Sequence, residues 1–181
     1  RFDPPTIGAY EFGSDAEMAI VSSNVFHPTF QSILVGDVNQ PVICIKIKAD
    51  GLINPVNITS FYLNSNGTTN PNDILETKLY YTGASNVLSL NNQFGETITD
   101  VSSPYFIEGN QELIHGNNYF WLVYSVSEFA ADLNLADAEC PYYYSGSQLY
   151  SPEIYAPTGS RVIRNRAEGT FTVGDGGYYP N

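Results

Sequence analysis

The chain has 181 residues, of which 43% are hydrophobic and 14% are charged, and its 19 acids against 7 bases give a formal net charge of −12. This length suits one ordinary domain with short pieces of its neighbours, and the hydrophobic share excludes a disordered chain. The negative charge repels phosphate backbones and anionic lipids, so we expect no nucleic-acid partner. No apolar run could span a bilayer and no signal peptide opens the chain, so we expect no direct membrane insertion and place any export signal outside these residues.

Four runs of residues predict strands in the body of the chain. Residues 42–48 alternate, with three isoleucines on the face predicted to point inward and Lys46 and Lys48 on the other face. Residues 56–63 and 74–82 are rich in β-branched and aromatic side chains, which favour strands. Residues 119–126 are apolar on both faces, so we expect this strand to lie centrally between covered surfaces.

Clusters of Asn, Asp and Gly separate these runs and predict turns. Strand-like runs that recur about every 8–12 residues with turns between them are typical of a sandwich or a jelly roll. Residues 127–133 are the one candidate for a helix, which would have about two turns. The sequence therefore predicts an all-β fold, specifically an antiparallel β-sandwich that is jelly-roll-like.

The two cysteines, Cys44 and Cys140, are compatible with one disulfide or with two free thiols. A bridge requires Cα atoms about 4.4–6.8 Å apart, and the sequence does not give that distance. Cys44 falls on the lysine-bearing side of its strand, which argues against deep burial. Metal binding by two cysteines without a histidine cluster is disfavoured.

Residues capable of catalysis form no recognisable motif. His27 precedes Pro28 at a predicted strand end, and His115 lies in a turn. An acidic stretch holds Glu128, Asp132, Asp137 and Glu139. Paired carboxylates carry out glycoside hydrolysis, but a solvated acidic loop is the favoured interpretation. We therefore predict no catalytic residues, no cofactor and no enzyme activity.

Calcium is the best ligand hypothesis, because carboxylate, amide and backbone oxygens in loops bind it. The two loops concerned are residues 64–73 and 132–139. The candidate ligands are Asn64, Asn66, Asp73, Asp132, Asp137 and Glu139. Turn formation explains the asparagines equally well, since Asn tolerates left-handed backbone conformations.

Sugar stacking is a second ligand hypothesis, carried by a tyrosine-rich segment. Tyr142, Tyr143 and Tyr144 are followed by Tyr150 and Tyr155. Aromatic rings with a polar handle suit partly wet binding sites. The alternative is that every second tyrosine packs on the sandwich while the others shield its edge.

Several short segments occur in an order that resembles a known module. They are ITSF at 58–61, LYYTG at 79–83, GNNYFWL at 116–122 and ADAEC at 136–140. These landmarks resemble the β-sandwich module associated with BNR-repeat sialidases and other secreted surface proteins of Bacteroidetes. Residues 7–11, IGAYE, are similar to the end of a right-handed parallel β-helix domain, and residues 169–178 resemble the opening of another.

The resemblance implies a jelly-roll-like sandwich beside larger domains, with any sialidase chemistry in a neighbouring propeller. We predict that residues 1–16 are the tail of a preceding domain, 17–165 the sandwich module, and 166–181 the start of a following domain or a linker. The predicted function is a non-catalytic interaction or spacer module of a larger adhesin-like or polysaccharide-handling protein, secreted or on the cell surface. Its partners would be neighbouring domains or copies of itself. One way for copies to assemble is that residues 169–173 of one copy add as a strand to the sheet edge of the next. The alternative is a carbohydrate-binding module, with or without calcium.

Overall fold

A computed structural model describes residues 16–166, and this part of the chain contains twelve β-strands. The strands are β1 (Ala19–Phe26), β2 (Ile33–Leu34), β3 (Gln40–Asp50), β4 (Asn57–Asn64), β5 (Ile74–Tyr81), β6 (Gln93–Ile98), β7 (Tyr105–Glu112), β8 (Gly116–Val126), β9 (Leu135–Ala136), β10 (Glu139–Ser145), β11 (Gln148–Tyr150) and β12 (Arg161–Arg164). A 3₁₀ turn, Pro71–Asp73, leads into β5.

Two antiparallel sheets form a sandwich. One has the order β1-β3-β8-β5-β6, and the other has the order β11-β10-β4-β7. Strand β3 pairs with β8, β4 with β7 and β5 with β6, which is the nested pairing of a long hairpin rolled into two sheets. A small third sheet, β2-β12-β9, contains the parallel pair β2 and β12. The predicted antiparallel, jelly-roll-like sandwich is confirmed.

The four strands predicted from sequence are present as β3, β4, β5 and β8. Ile43, Ile45 and Ile47 are fully buried between the sheets, as their alternation predicted. Strand β8 is the middle strand of its sheet, and all of residues 120–126 are buried, which confirms its predicted central position. Strand β7 was not predicted individually, because all its residues after Ile107 are polar or glycine, which weakens the apolar signal.

Aromatic rings join the two sheets across the core. Phe61 of the four-stranded sheet lies 4.8 Å from Phe120 and 5.3 Å from Phe94 of the five-stranded sheet, measured between ring centroids. Tyr81 lies 4.8 Å from Phe120. Truncating one buried phenylalanine to alanine in such a core typically costs about 3–5 kcal/mol, so this cluster is a main source of sandwich stability.

The candidate helix over residues 127–133 does not form, and the segment makes two successive turns instead. The N–H of Ala130 donates to the carbonyl of Ser127, and the N–H of Asn134 donates to that of Ala131. Leu133 has a φ of 71°, in the left-handed region, and its N–H donates to the carbonyl of Ile163 at 2.9 Å. A helix of two turns is marginal by itself, so backbone hydrogen bonds to the rest of the fold decide the conformation.

The expectation that Cys44 avoids deep burial is also wrong. Cys44 is fully buried on the outer face of the five-stranded sheet, packed with Tyr80 and Trp121 and covered partly by Leu88. The loop that carries Leu88 folds back over this face, which the alternation within one strand could not reveal. Cys140 is fully buried in the main core, and both cysteines are free thiols.

The predicted domain boundaries near residues 16 and 166 stay predictions. Residues 1–15 and 167–181, which carry both resemblances to β-helix domains and the strand proposed at 169–173, lie outside the described residues. Between residues 16 and 166, no helix has the length and apolar character needed to cross a membrane.

Candidate functional site

The two oxygen-rich loops, residues 64–73 and 132–139, meet at one end of the sandwich, where β4 ends and β10 begins. Asn64 pairs with Glu139 across these strands, and the amide Nδ2 of Asn66 donates to the Glu139 carboxylate at 3.0 Å. The hydroxyl of Thr68 donates to the Asp137 carbonyl at 2.7 Å and accepts from the Asp137 N–H at 2.9 Å. We call the group of Asn66, Thr68, Asp137 and Glu139 the loop junction.

A buried histidine completes the loop junction from a third segment. The side chain of His27, at the end of β1, is 1% exposed, and its Nε2 lies 3.4 Å from Oδ1 of Asp137. Its Nδ1 lies 3.0 Å from the carbonyl oxygen of Val42. Sequence reasoning placed His27 at a strand end but found no partner for it. No local signal marks this pair, since only the rolled topology brings β1 next to the β9–β10 connection.

The environment of Asp137 changes its ionisation. The pKa of its carboxyl group is raised to about 6, chiefly because burial removes hydration from the charged form. The backbone N–H of Ala138 and the nearby His27 oppose this rise, and the neighbouring Glu139 charge adds to it. The Thr68 hydroxyl both donates to and accepts from the Asp137 backbone, and His27 contacts the Asp137 side chain. The loop junction therefore holds three segments of the fold together.

The six candidate calcium ligands do not form a single group. Asp73 is buried, and its carboxylate accepts from the amides of Asn70 at 2.9 Å and Asn134 at 2.6 Å. Asp132 accepts from the backbone N–H of Asn165 at 2.9 Å, and Asn64 accepts from the N–H of Asn66 at 2.9 Å. Asn66, Asp137 and Glu139 are brought together in the loop junction. Over residues 16–166, no three His, Cys, Asp or Glu side chains are grouped to hold a metal ion, and calcium binding by mixed oxygen ligands stays a prediction.

The second histidine, His115, lies on the surface and outside the loop junction. The side chain of His115 is 51% exposed, and its Nδ1 lies 3.3 Å from the Asp50 carboxylate. It immediately precedes β8 in the turn that the sequence predicted.

The tyrosine-rich segment forms an aromatic surface on the outer face of the four-stranded sheet. Tyr142, Tyr62 and Phe106 stand side by side across β10, β4 and β7. The rings of Tyr62 and Tyr142 are stacked with centroids 4.4 Å apart and planes 4° from parallel, and Phe106 lies 4.9 Å from Tyr62. Tyr144 packs edge-on against Tyr142 at 5.8 Å. We call these four residues the tyrosine platform.

Tyr143 does not belong to this platform, which corrects its prediction as a stacking residue. Its side chain points into the core, is fully buried, and packs against Phe61 at 5.6 Å. Tyr150 stacks on its ring at 5.6 Å. Successive residues of a strand face opposite sides, so Tyr142 and Tyr144 face outward and Tyr143 inward. Tyr155 is 50% exposed and lies beyond β11.

Comparisons with known proteins found a matching family model and a solved structure with a similar fold. A family model described as the N-terminal domain of BNR-repeat neuraminidase matches residues 25–135. A solved structure, Hadza microbial sialidase Hz136, matches with a TM-score of 0.54 and 17% identity, over 78% of this chain and 31% of that protein. This chain therefore spans about a third of the sialidase, and the likeness concerns the fold. No curated protein matched the sequence. Because the family model covers more than half of its residues, the chain belongs to the family of N-terminal domains of BNR-repeat neuraminidases.

Proposed function

We propose that this domain is a non-catalytic interaction and spacing module of a larger secreted or cell-surface protein. The observation that carries the proposal is the tyrosine platform, where the Phe106 ring and parts of three tyrosine rings reach solvent on the outer face of the four-stranded sheet. Phe106 is 44% exposed there. Exposed aromatic patches on a stable sandwich commonly mark contact surfaces, because covering them removes apolar area from water.

The proposed partner is a neighbouring domain of the same protein or a second copy of it. Family membership supports this, since the family is defined as an N-terminal domain attached to a neuraminidase. In this view residues 17–165 form the module, and residues 1–16 and 166–181 belong to what precedes and follows it. Limited proteolysis of the longer protein is expected to cut near residues 16 and 166 and leave the sandwich intact.

A matched pair of variants tests the platform as the contact surface. Phe106→Ala removes a platform ring, whereas Phe129→Ala removes a ring that is 86% exposed in the turn after β8. We expect Phe106→Ala to weaken self-association or domain–domain association at least tenfold in sedimentation and crosslinking, and Phe129→Ala to leave it within twofold. Equal effects of the two changes, or none from Phe106→Ala, would contradict the proposal.

Glycan binding on the same platform is the second candidate function. The Tyr62 and Tyr142 rings stack on each other and therefore turn their edges to solvent, whereas the neighbouring Phe106 ring is 44% exposed and offers the apolar surface for a sugar ring. Glu108 lies beside the platform, with Glu96 and Phe106 lining the same shallow surface depression, so carboxylates are available to accept from sugar hydroxyls. In a calcium-dependent version, Asp137 and Glu139 of the loop junction, where β10 begins, would supply carboxylate ligands.

Calorimetric titration and a glycan array, each with and without a chelator, test this second function. Glycan binding predicts a saturable signal that Tyr142→Ala abolishes, and calcium dependence predicts that the chelator weakens it. A glycan signal that survives Tyr142→Ala would place the ligand elsewhere. No signal with plant, algal or host glycans would favour the domain-contact function.

A further inference from the structure

A second aromatic surface lies on the opposite side of the sandwich, on the outer face of the five-stranded sheet. It is a cleft of about 290 Å³ lined by Phe26, Pro28, Lys46, Asn86, Tyr119 and Trp121. Strands β1, β3 and β8 supply its floor, and Asn86 comes from the loop between β5 and β6. Nothing in the function proposed above uses this cleft.

The aromatic side chains of the cleft are fixed by their neighbours. Trp121 donates its indole N–H to the Thr82 hydroxyl at 2.9 Å and packs over the buried Cys44 thiol. Phe26 is 37% exposed and stands opposite Cys44 across the β1–β3 pairing. The cleft therefore offers apolar ring surface that needs no rearrangement before a ligand binds, which lowers the entropic cost of binding.

The charge of the cleft is opposite to that of the whole chain. Lys46 is half-buried in it, directly across from Tyr119 in the β3–β8 pairing, and Lys48 follows on the same face. Between residues 16 and 166, the ion pairs involve Lys78, Arg164, Arg166 and the two histidines, so Lys46 has no carboxylate partner there. A half-buried ammonium group without a partner beside aromatic rings is a site for an anion.

The remaining features narrow the ligand class. A net charge of −12 repels a long polyanion, so the anion must be small or carry isolated charges. The volume lies at the lower end of the range for small-molecule pockets and suits one ring. The aromatic walls suit the apolar face of a sugar, and the Asn86 amide can donate to and accept from hydroxyl groups. We infer that this cleft binds a single sugar residue that carries a carboxylate or sulfate group.

Tryptophan fluorescence measures binding at this cleft directly, because Trp121 is the one tryptophan of the chain and lines the cleft. The whole chain is titrated with glucuronate, with glucose 6-sulfate and with glucose while tryptophan emission is recorded. We expect a saturable change with at least one of the two anionic sugars, weakened by added salt, and none with glucose at the same concentration. The two anionic probes show whether carboxylate or sulfate is preferred. No change with either anion, or an equal change with glucose, overturns the inference.

Matched variants assign the effect to the cleft. Lys46→Gln is expected to weaken binding about tenfold or more, since it removes a charge-assisted hydrogen bond. Arg164→Gln removes the same charge from the exposed Arg164–Asp132 pair and is expected to leave the affinity within twofold. Phe26→Ala, which deletes one cleft wall, provides a second test if Lys46→Gln does not fold. Equal affinities of the Lys46 and Arg164 variants, or unchanged binding by Phe26→Ala, contradict the inference. Tyr142→Ala should leave this titration unchanged, so the tyrosine platform and the cleft succeed or fail separately.

Discussion

Removing the buried guanidinium of Arg161 is expected to destabilise the domain strongly. Arg161 begins β12 and is 3% exposed. Its Nε donates to the carbonyl of Gln31 and its Nη1 to the carbonyl of Pro41, both at 2.7 Å. Its Nη2 lies 3.5 Å from the carbonyl of Ser32 and 3.3 Å from the side-chain oxygen of Gln40. One side chain therefore ties β12 to the segments that flank β2 and begin β3.

The two short bonds set the size of the effect. Hydrogen bonds that involve a charged group contribute about 1.5–3 kcal/mol each, so the two together give about 3–6 kcal/mol. Burial opposes the charged form and lowers the pKa of Arg161, which offsets part of this gain. We expect Arg161→Ala to lower the free energy of unfolding by about 3 kcal/mol, because buried carbonyls lose their donors. Arg161→Lys should recover about half of the loss, since an ammonium group cannot span the two carbonyls as a planar guanidinium does.

Urea unfolding followed by Trp121 emission measures these differences. The control is Arg164→Ala on the same strand, whose side chain is 48% exposed and lies 3.9 Å from Asp132. An exposed pair of this kind contributes little, so we expect a change of about 0.5 kcal/mol or less. The reasoning is refuted if Arg161→Ala costs no more than Arg164→Ala, or if Arg161→Lys is as stable as the wild type.

Three further predictions concern the loop junction and the thiols. Gly67→Ala is expected to lower the free energy of unfolding in urea by about 2–3 kcal/mol, because Gly67 has a φ of 87° and an added Cβ would clash with the Asp137 carboxylate. The control Gly146→Ala should cost about 1 kcal/mol, because Gly146 has a φ of 57° but open space around the added Cβ. The Asp137 carboxyl has a pKa of about 6 in the fold and an ordinary value of 3.8, so the folded state binds more protons and this group's contribution to stability is lost as the pH rises from about 4 to about 6. Between pH 4.5 and pH 7.5, the free energy of unfolding of Asp137→Asn should rise by about 1–2 kcal/mol relative to that of the wild type, after allowance for solvent screening of the partly exposed carboxyl. A difference between the two proteins that does not change with pH would contradict this. Burial raises the pKa of the Cys44 and Cys140 thiols. A thiol reagent at pH 8 should therefore label neither cysteine in the native protein and both in guanidinium. Rapid labelling of the native protein would disprove their burial.

The fold class was predictable because the signal that carries it is local. Alternation within β3 identified the inward isoleucines, and the two apolar faces of β8 predicted its central position. A strand exposes alternate residues to opposite sides whatever its partners are. The same parity explains why Tyr143 faces the core while its two neighbours form the platform. The tyrosine-rich sequence is compatible with this arrangement and with stacking by all three tyrosines, and the parity of β10 selects the former.

Local residue patterns thus specify the all-β class, the main strands and their apolar faces. The distant segments that meet are specified only by the folded chain, since these contacts depend on strand order and loop path. Tertiary structure brought His27 to Asp137, folded the Leu88 loop over Cys44, and replaced the candidate helix at 127–133 with turns bonded to β12. Each of these outcomes joins groups far apart in the chain, and no pattern within a single segment encodes the distance between them.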